Sequence, residues 1–292
     1  MAETGFSLRY MRPDPALAAY ISGYHVFEPP TPAPGVRNHD VFYPGWGNVR
    51  VQVYGDPWKV RLGTETFDPV PRAALFGPTC HASFSEAGGG RLVGAGLTPL
   101  GWAMFVPLPA DRLADRIAPL ETAFGAEAGD LAAALAAATD DAGFAAAFDS
   151  FFLARLGRLS PPAEAILAFH RLLVGRHDVR VKAVAAQLGI PERTLSRISR
   201  AYFGFAPKLL LQRSRFLKSL VALGAGEGPM SALIDPGYTD QSHFIRDSYR
   251  FLGMAPGEFL RLPKPMHDAS AALRRRMLGE AAQALQAPGA AG

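Results

Sequence analysis

The first part of the chain alternates short apolar segments with Gly- and Pro-rich breaks. Val49, Val51 and Val53 alternate with polar or aromatic residues, which is the period of a half-buried strand. Similar segments predict further strands over 24–27, 41–43, 58–62, 73–76, 82–85 and 91–97. Many short strands at this spacing predict a small β-barrel or sandwich over residues 1–99.

After residue 99 the pattern becomes helical. It predicts helices over 101–106, 111–116, 130–138 and 142–156, and Asp14 before Pro15 predicts a short helix over 15–20. The fourth helix carries an apolar stripe at helical spacing, formed by Phe144, Phe148, Phe151 and Phe152. Such a stripe has two interpretations, a dimer seam or packing on the same domain, and the sequence leaves both open.

Residues 162–260 are helical in pattern, and 181–200 predict two helices separated by Gly189. Leu195 and Ile198 mark the apolar face of the second helix. Its opposite face is polar and cationic, with Arg193, Ser196, Arg197 and Arg200 at i, i+3, i+4 and i+7. Two helices joined by a tight Gly-containing turn, the second with such a face, are typical of a helix-turn-helix motif.

The same arrangement recurs about fifty residues later. A short helix is predicted over 230–234, Gly237 forms the turn, and Asp240 is a good N-cap for the next helix. This helix is predicted to bury Phe244 and Phe251 and to present outward Gln241, Ser242, His243, Arg246 and Arg250. A long helix starting at 207 would fix the spacing of the two recognition helices, which suits successive major-groove segments of DNA.

The charge distribution supports a polyanionic target for this region. The net charge is +4, but residues 1–161 hold 12 Lys/Arg against 16 Asp/Glu, whereas residues 162–276 hold 18 against 9. A basic region joined to an acidic one indicates a nucleic-acid-binding module attached to a domain with another role.

These motifs resemble the DNA-binding domain of AraC/XylS-family transcriptional regulators. The resemblance rests on VxxVAxxLGIxxRTLSR (181–197), Pro207, Arg215, GYTDQSHFxR (237–246) and GMAP (253–256). It implies base contacts, in the chemistry by which Arg reads guanine and Gln reads adenine, from Arg193, Ser196, Arg197, Gln241, Ser242 and Arg246. We expect phosphate contacts from Thr194, Arg200, Lys208, Arg213, Arg215, His243 and Arg250.

The chain departs from that family at two core positions. Ser199 and Ser248 stand where the family usually has an aromatic residue, and Pro191 replaces the usual Ser cap. Loss of this bulk is expected to weaken packing by about a few kcal/mol unless Tyr202 and Tyr249 compensate.

The first 155 residues resemble the sensor half of one branch of the family more loosely, through segments 91–101, 108–116 and 119–125. This implies a barrel-like effector or dimerisation domain. An apolar ligand pocket is expected to be lined by Tyr43, Trp46, Tyr54, Trp58 and Trp102, with filling of the barrel as the alternative role for each.

We therefore predict an α+β protein of two domains with an extension. Residues 1–158 form the effector-sensing or dimerisation domain, β-rich over 1–99 and helical over 100–158. Residues 162–262 form the DNA-binding domain with two helix-turn-helix motifs joined by a long helix. Residues 263–292 are a partly flexible extension.

No catalytic or metal site is expected. The seven histidines are scattered, no nucleotide or nucleophile motif occurs, and the single Cys80 suits a reducing compartment. We expect no cofactor, no membrane contact and a cytoplasmic location. The expected partners are double-stranded DNA, a small-molecule effector, RNA polymerase and a second copy of the chain. The alternatives are a barrel enzyme or a protein-interaction module with an accessory DNA-binding half.

Overall fold

Two antiparallel sheets form the first part of the protein. The computed structural model describes residues 6–158, 161–175, 180–226 and 233–289. Six strands pair in the order β1-β2-β9-β4-β7-β10 and four in the order β3-β8-β5-β6. The bounds are β1 Ser7–Met11, β2 Ile21–Glu28, β3 Asn38–Phe42, β4 Asn48–Gly55, β5 Lys59–Leu62, β6 Glu65–Phe67, β7 Ala73–Phe76, β8 Ser83–Ala87, β9 Gly90–Leu97 and β10 Ile117–Pro119.

Eleven α-helices lie within the described residues. Those after the sheets are α1 Pro99–Phe105, α2 Glu121–Phe124, α3 Glu127–Ala137 and α4 Asp141–Leu153. The C-terminal ones are α5 Ala163–Val174, α6 Val181–Gln187, α7 Glu192–Phe203, α8 Pro207–Ala225, α9 Gln241–Leu252, α10 Pro256–Arg261 and α11 Pro265–Leu278. Short 3-10 helices occupy Pro15–Leu17, Ala110–Arg112 and Gln283–Leu285. The predicted α+β architecture is confirmed, with two separate sheets in place of a closed barrel.

The helix predicted over 111–116 is wrong beyond its first turn. Only Ala110–Arg112 is helical, and Asp115 adopts a left-handed backbone conformation with φ of 52°. Its carboxylate accepts hydrogen bonds from the backbone N–H groups of Cys80 and His81 at 2.8 and 3.1 Å. These bonds join Asp115 to residues 35 and 34 positions earlier in the chain, so a tertiary contact overrides the helical pattern here.

The phenylalanine stripe of α4 packs inside its own domain. Phe144, Phe148 and Phe152 are fully buried against the six-stranded sheet. Phe148 stacks on Tyr24 with ring centroids 4.9 Å apart. Of the two interpretations of this stripe, packing within the same domain is therefore confirmed.

A shared core joins the sheets to the C-terminal helices. Val41, Trp46 and Cys80 of the sheet region belong to the same buried cluster as Phe203 and Phe216. The sheet region and the C-terminal helices are therefore packed against each other.

Residues 263–289, the C-terminal segment, lie back on the sheet region. Helix α11 packs against β1 and β3, and the hydroxyls of Tyr10 and Ser270 are hydrogen-bonded at 2.7 Å. Gln283 donates to the Ser22 hydroxyl at 3.0 Å, and Leu285 is buried. The segment therefore links the end of the DNA-binding region to the first sheet.

Candidate nucleic-acid interface

Helix α7 presents a basic surface and buries the opposite face. Gly189 supplies the positive φ of 65° required at the turn before it. Leu195 and Ile198 are buried. Arg193, Arg197 and Arg200 are exposed in the complete chain, and Thr194 and Ser196 are partly exposed. The predicted face is therefore accessible to a ligand as large as DNA.

Helix α9 repeats this arrangement. Asp240 caps it by accepting a hydrogen bond from the His243 backbone N–H at 2.7 Å, as predicted. Phe244 and Phe251 are fully buried. The exposed side chains along the helix are Gln241, Ser242, Arg246, Tyr249 and Arg250. The short helix predicted over 230–234 falls mainly outside the described residues.

The long helix α8 anchors the second recognition helix. The ring of Phe216 lies 5.4 Å from that of Phe244 and 5.3 Å from that of Phe251. These aromatic contacts fix α9 on α8, so the orientation of its exposed face is set by a buried core.

Arg215 is not available for the predicted phosphate contact. It is only 4% exposed and donates to the Gly237 carbonyl at 3.0 Å and to Asp247 Oδ2 at 3.4 Å. Its guanidinium lies over the Tyr238 ring, and the Tyr238 hydroxyl donates to the same carboxylate at 2.9 Å. The side chain instead holds the turn before α9 against α8.

Arg213 is also buried, so its predicted phosphate contact is wrong for this structure. Its guanidinium donates to the carbonyls of Thr79 and Gly45 at 2.6 and 3.3 Å. It stacks over Trp46 at 4.2 Å, and burial lowers its pKa. Arg213 therefore connects α8 to the sheet region.

The other predicted phosphate contacts lie at or near the surface. Lys208 is exposed, and Arg250 donates to Gln212 at 3.2 Å. His243 is partly buried, with Nε2 3.3 Å from an Arg215 nitrogen and its ring against Tyr238. Its ring is thus engaged with the turn.

Ser199 and Ser248 occupy equivalent, fully buried positions in the two motifs. The Ser199 hydroxyl donates to the Phe205 carbonyl at 2.6 Å, and the Ser248 hydroxyl donates to the Met254 carbonyl at 2.8 Å. Each bond spans a left-handed glycine that ends the helix, Gly204 or Gly253. The expected compensation by tyrosine does not apply at Tyr249, which is 55% exposed.

The two serine positions belong to a repeat in the sequence. Ser199, Gly204 and Pro207 recur 49 residues later as Ser248, Gly253 and Pro256. A polar residue repeated in this context indicates a structural hydrogen bond, since a buried hydroxyl requires a partner.

We expect Ser199→Ala and Ser248→Ala each to lower the free energy of unfolding by about 0.5–1.5 kcal/mol, because each removes a part-buried hydrogen bond from a fully buried hydroxyl. Chemical denaturation measures this change. Ser242→Ala, at an exposed site on α9, is the matched control and should change stability by less than about 0.5 kcal/mol. Equal effects at all three serines would show that the two hydrogen bonds contribute nothing specific.

The five predicted effector-pocket residues do not converge on one site. Trp102 is buried and donates to the Leu108 carbonyl at 2.8 Å, and Tyr54 is 50% exposed. Tyr43 and Trp46 border a small cavity of about 100 Å³. Only Trp58 borders the large cavity of about 630 Å³, which lies between the sheets. The five residues therefore do not form the single pocket that was predicted for them.

Among the residues placed in the structure, no three His, Cys, Asp or Glu side chains are grouped as metal ligands. No helix in the described part of the chain is long and apolar enough to span a bilayer. Cys80 is buried, which raises the pKa of its thiol to about 12 and suits a structural role.

The comparisons identify the class of the C-terminal region. Residues 184–262 match the family model described as a helix-turn-helix domain. The C-terminal region thus contains a helix-turn-helix domain, as the motifs predicted. No match is found among the curated proteins.

Two solved structures of a Vibrio cholerae protein are weakly similar to this chain. ToxT from strain O395 is 12% identical with a TM-score of 0.42, over 88% of this chain and 98% of that one. Wild-type ToxT of strain SCE256, with an unsaturated fatty acid bound, has the same identity and TM-score, over 89% and 97%. A TM-score below 0.5 is too low to carry a functional argument.

Proposed function

We propose that the protein is a sequence-specific DNA-binding transcription regulator that reads two successive major-groove segments with α7 and α9. One observation carries this proposal: each helix exposes polar and basic side chains while its other face is buried in the protein. Arg193 and Arg197 on α7 and Arg246 on α9 are all exposed in the complete chain. Buried anchoring with an exposed basic face is what a recognition helix requires.

The exposed side chains divide into two roles by their chemistry. Arg193, Arg197 and Arg246 suit bidentate contacts to guanine, and Gln241 suits adenine, with Ser196 and Ser242 as further base contacts. Contacts to phosphate would position the domain without specifying sequence. For that role we retain Thr194, Arg200, Lys208 and Arg250.

Control by a small molecule through the sheet region is part of the proposal. The inter-sheet cavity of about 630 Å³ supports it, because pockets for small ligands have volumes of this order. Binding to RNA polymerase and to a second copy of the chain remain predictions.

Selection from a pool of randomised DNA duplexes tests the function. We expect the purified protein to enrich a sequence with two half-elements about one helical turn apart. Binding of the selected duplex and of its scrambled version is then measured over a salt series, in which the logarithm of the affinity should fall linearly with that of the salt concentration. Failure to enrich any sequence would contradict the proposal.

Arg193→Ala and Arg246→Ala should each weaken binding to the selected duplex by about 1–3 kcal/mol and relax specificity at one base pair. Arg72→Ala, at an exposed arginine just before β7, is the control and should leave binding unchanged. Fluorescence anisotropy with single-base variants of the duplex provides the measurement. An equal loss on every sequence would assign these arginines to phosphate instead.

A further inference from the structure

The inter-sheet cavity has an apolar wall with few polar groups on it. Phe27, Phe42 and Leu92 from the strands and Leu262 and Met266 from the C-terminal side line it. Arg50 and Trp58 also reach it. A ligand of this cavity therefore has an apolar body and meets its polar partners at few points.

Three nitrogen atoms around this space are buried without a hydrogen-bond partner within the described residues. They are Arg50 Nε, Trp58 Nε1 and His25 Nε2. Arg50 also borders the adjoining small cavity, which His25 lines. These three atoms have almost no accessible surface, and the Nε atoms of Arg213 and Arg215 are in the same state, so they do not by themselves mark a ligand site. A ligand would reach Arg50 through the accessible part of its guanidinium, because this residue is only partly buried and borders both cavities.

Arg50 is a cation without a nearby anion in the described part of the chain. Its guanidinium lies 4.5 Å from the Phe76 ring centroid and 6.0 Å from that of Trp58. Burial lowers its pKa to about 10, so it stays charged at neutral pH. The neighbouring Arg91, by contrast, is paired with Glu28 at 2.5 Å.

The acidic side chains of the cavity do not neutralise Arg50. Asp40 accepts hydrogen bonds from the Met266 and His267 backbone N–H groups at 2.8 and 3.1 Å. Asp56 is exposed. The interior charge of the cavity is therefore set by Arg50.

We propose that the inter-sheet cavity binds a small organic acid, with its carboxylate on the Arg50 guanidinium and its apolar body along Phe27, Phe42 and Leu92. A guanidinium presents its N–H groups in a fork that matches a carboxylate. A single buried cation between aromatic rings favours a monoanion over a phosphate dianion, because a second negative charge would be buried unpaired. This inference names the class of effector and so rests on the proposed function.

The position of the cavity gives the acid a path to the DNA-binding region. Its wall includes Leu262, Pro263, Pro265 and Met266, which connect α10 to α11. Asp40 holds the start of α11 at the same place. An occupant therefore contacts both the sheets and the chain that leaves the DNA-binding domain.

The test measures binding of benzoate, 2-naphthoate and octanoate to the full-length protein by calorimetry, each beside its neutral carboxamide. We expect at least one acid to bind at least tenfold more tightly than its amide. In Arg50→Met this preference should vanish, and in Arg50→Lys, which keeps the charge but not the forked N–H groups, it should fall severalfold. Arg37→Met, at a partly exposed arginine of the cavity rim, should keep the preference.

Several outcomes would overturn the assignment. These are equal binding of acids and amides to the wild type, no binding by any acid, or a preference that survives Arg50→Met. The ligand-free Arg50→Met protein should melt at the same temperature as the wild type or higher, since it loses an unpaired buried charge. If it does not fold, Arg50→Lys and the wild-type comparison decide. DNA selection is measured separately, so loss of DNA binding with intact acid binding would refute only the regulator function.

Discussion

Asp247→Leu is expected to lower the free energy of unfolding by about 3–5 kcal/mol, because it leaves the Arg215 guanidinium charged and unpaired inside the protein. Both side chains are nearly fully buried, at 4% and 8% exposure, and the pair closes at 3.4 Å. The same change removes the acceptor of the Tyr238 hydroxyl. The change therefore removes together the ion pair between α8 and α9 and the hydrogen bond from the turn to α9.

Urea denaturation followed by circular dichroism measures the loss, and a double variant separates its causes. Arg215→Met combined with Asp247→Leu removes both charges and should recover most of the stability, because an apolar pair of similar volume replaces a buried ion pair at little cost. Glu65→Leu breaks the exposed pair with Arg116 and should cost about 0–1 kcal/mol. A double variant as unstable as Asp247→Leu alone would show that packing, not the unpaired charge, causes the loss.

The sequence predicted the DNA-binding region well because its signals are local. Turn glycines, the Asp240 cap and apolar residues at helical spacing each determine structure within a few residues. The burial of Arg213 and Arg215 depends instead on what packs around α8. A signal was present, since Leu210, Leu211, Phe216 and Leu217 make that helix apolar on more than one side, which indicates a buried helix.

The inter-sheet cavity could not be predicted from the sequence, because it depends on contacts between strands that are distant in the chain. Alternation in β4 placed Arg50 and Gln52 opposite Val49 and Val51, as on a solvent-facing surface. In the structure both faces of β4 are covered, and that polar face borders the cavity. A register shift between Gln52 and Tyr54 against β9 accompanies the exposure of the tyrosine, and a bulge of this kind is not encoded by period alone.

The packing of the sheets on the C-terminal helices was also not predicted, and Trp46 is central to it. Its ring lies 5.6 Å from both His170 and Phe203, and Arg213 stacks on it at 4.2 Å. Trp46 is 3% exposed. The uneven charge distribution predicts two modules, but it carries no information on whether they share a hydrophobic core.

Trp46→Ala is expected to lower the free energy of unfolding by about 3–5 kcal/mol and to divide unfolding into two transitions. The first effect follows from the cavity left by the indole. The second follows because Arg213, His170 and Phe203 lose the sheet-side group that all three contact, so the helical region can unfold before the sheets. Differential scanning calorimetry measures both effects.

Phe148→Ala is the matched control for this coupling, because it makes a cavity of similar kind wholly within the sheet region, against Tyr24. It should lower the free energy of unfolding by a similar amount, about 3–5 kcal/mol, while the unfolding profile keeps the number of transitions seen in the wild type. If the two variants give profiles of the same form, Trp46 is an ordinary core residue and the two regions are joined by other contacts. If only Trp46→Ala separates the transitions, Trp46 is a main coupling between the sheets and the DNA-binding helices, beside the contacts of Arg213 and of the C-terminal segment. The state of the sheet region can then bear on DNA binding through Trp46.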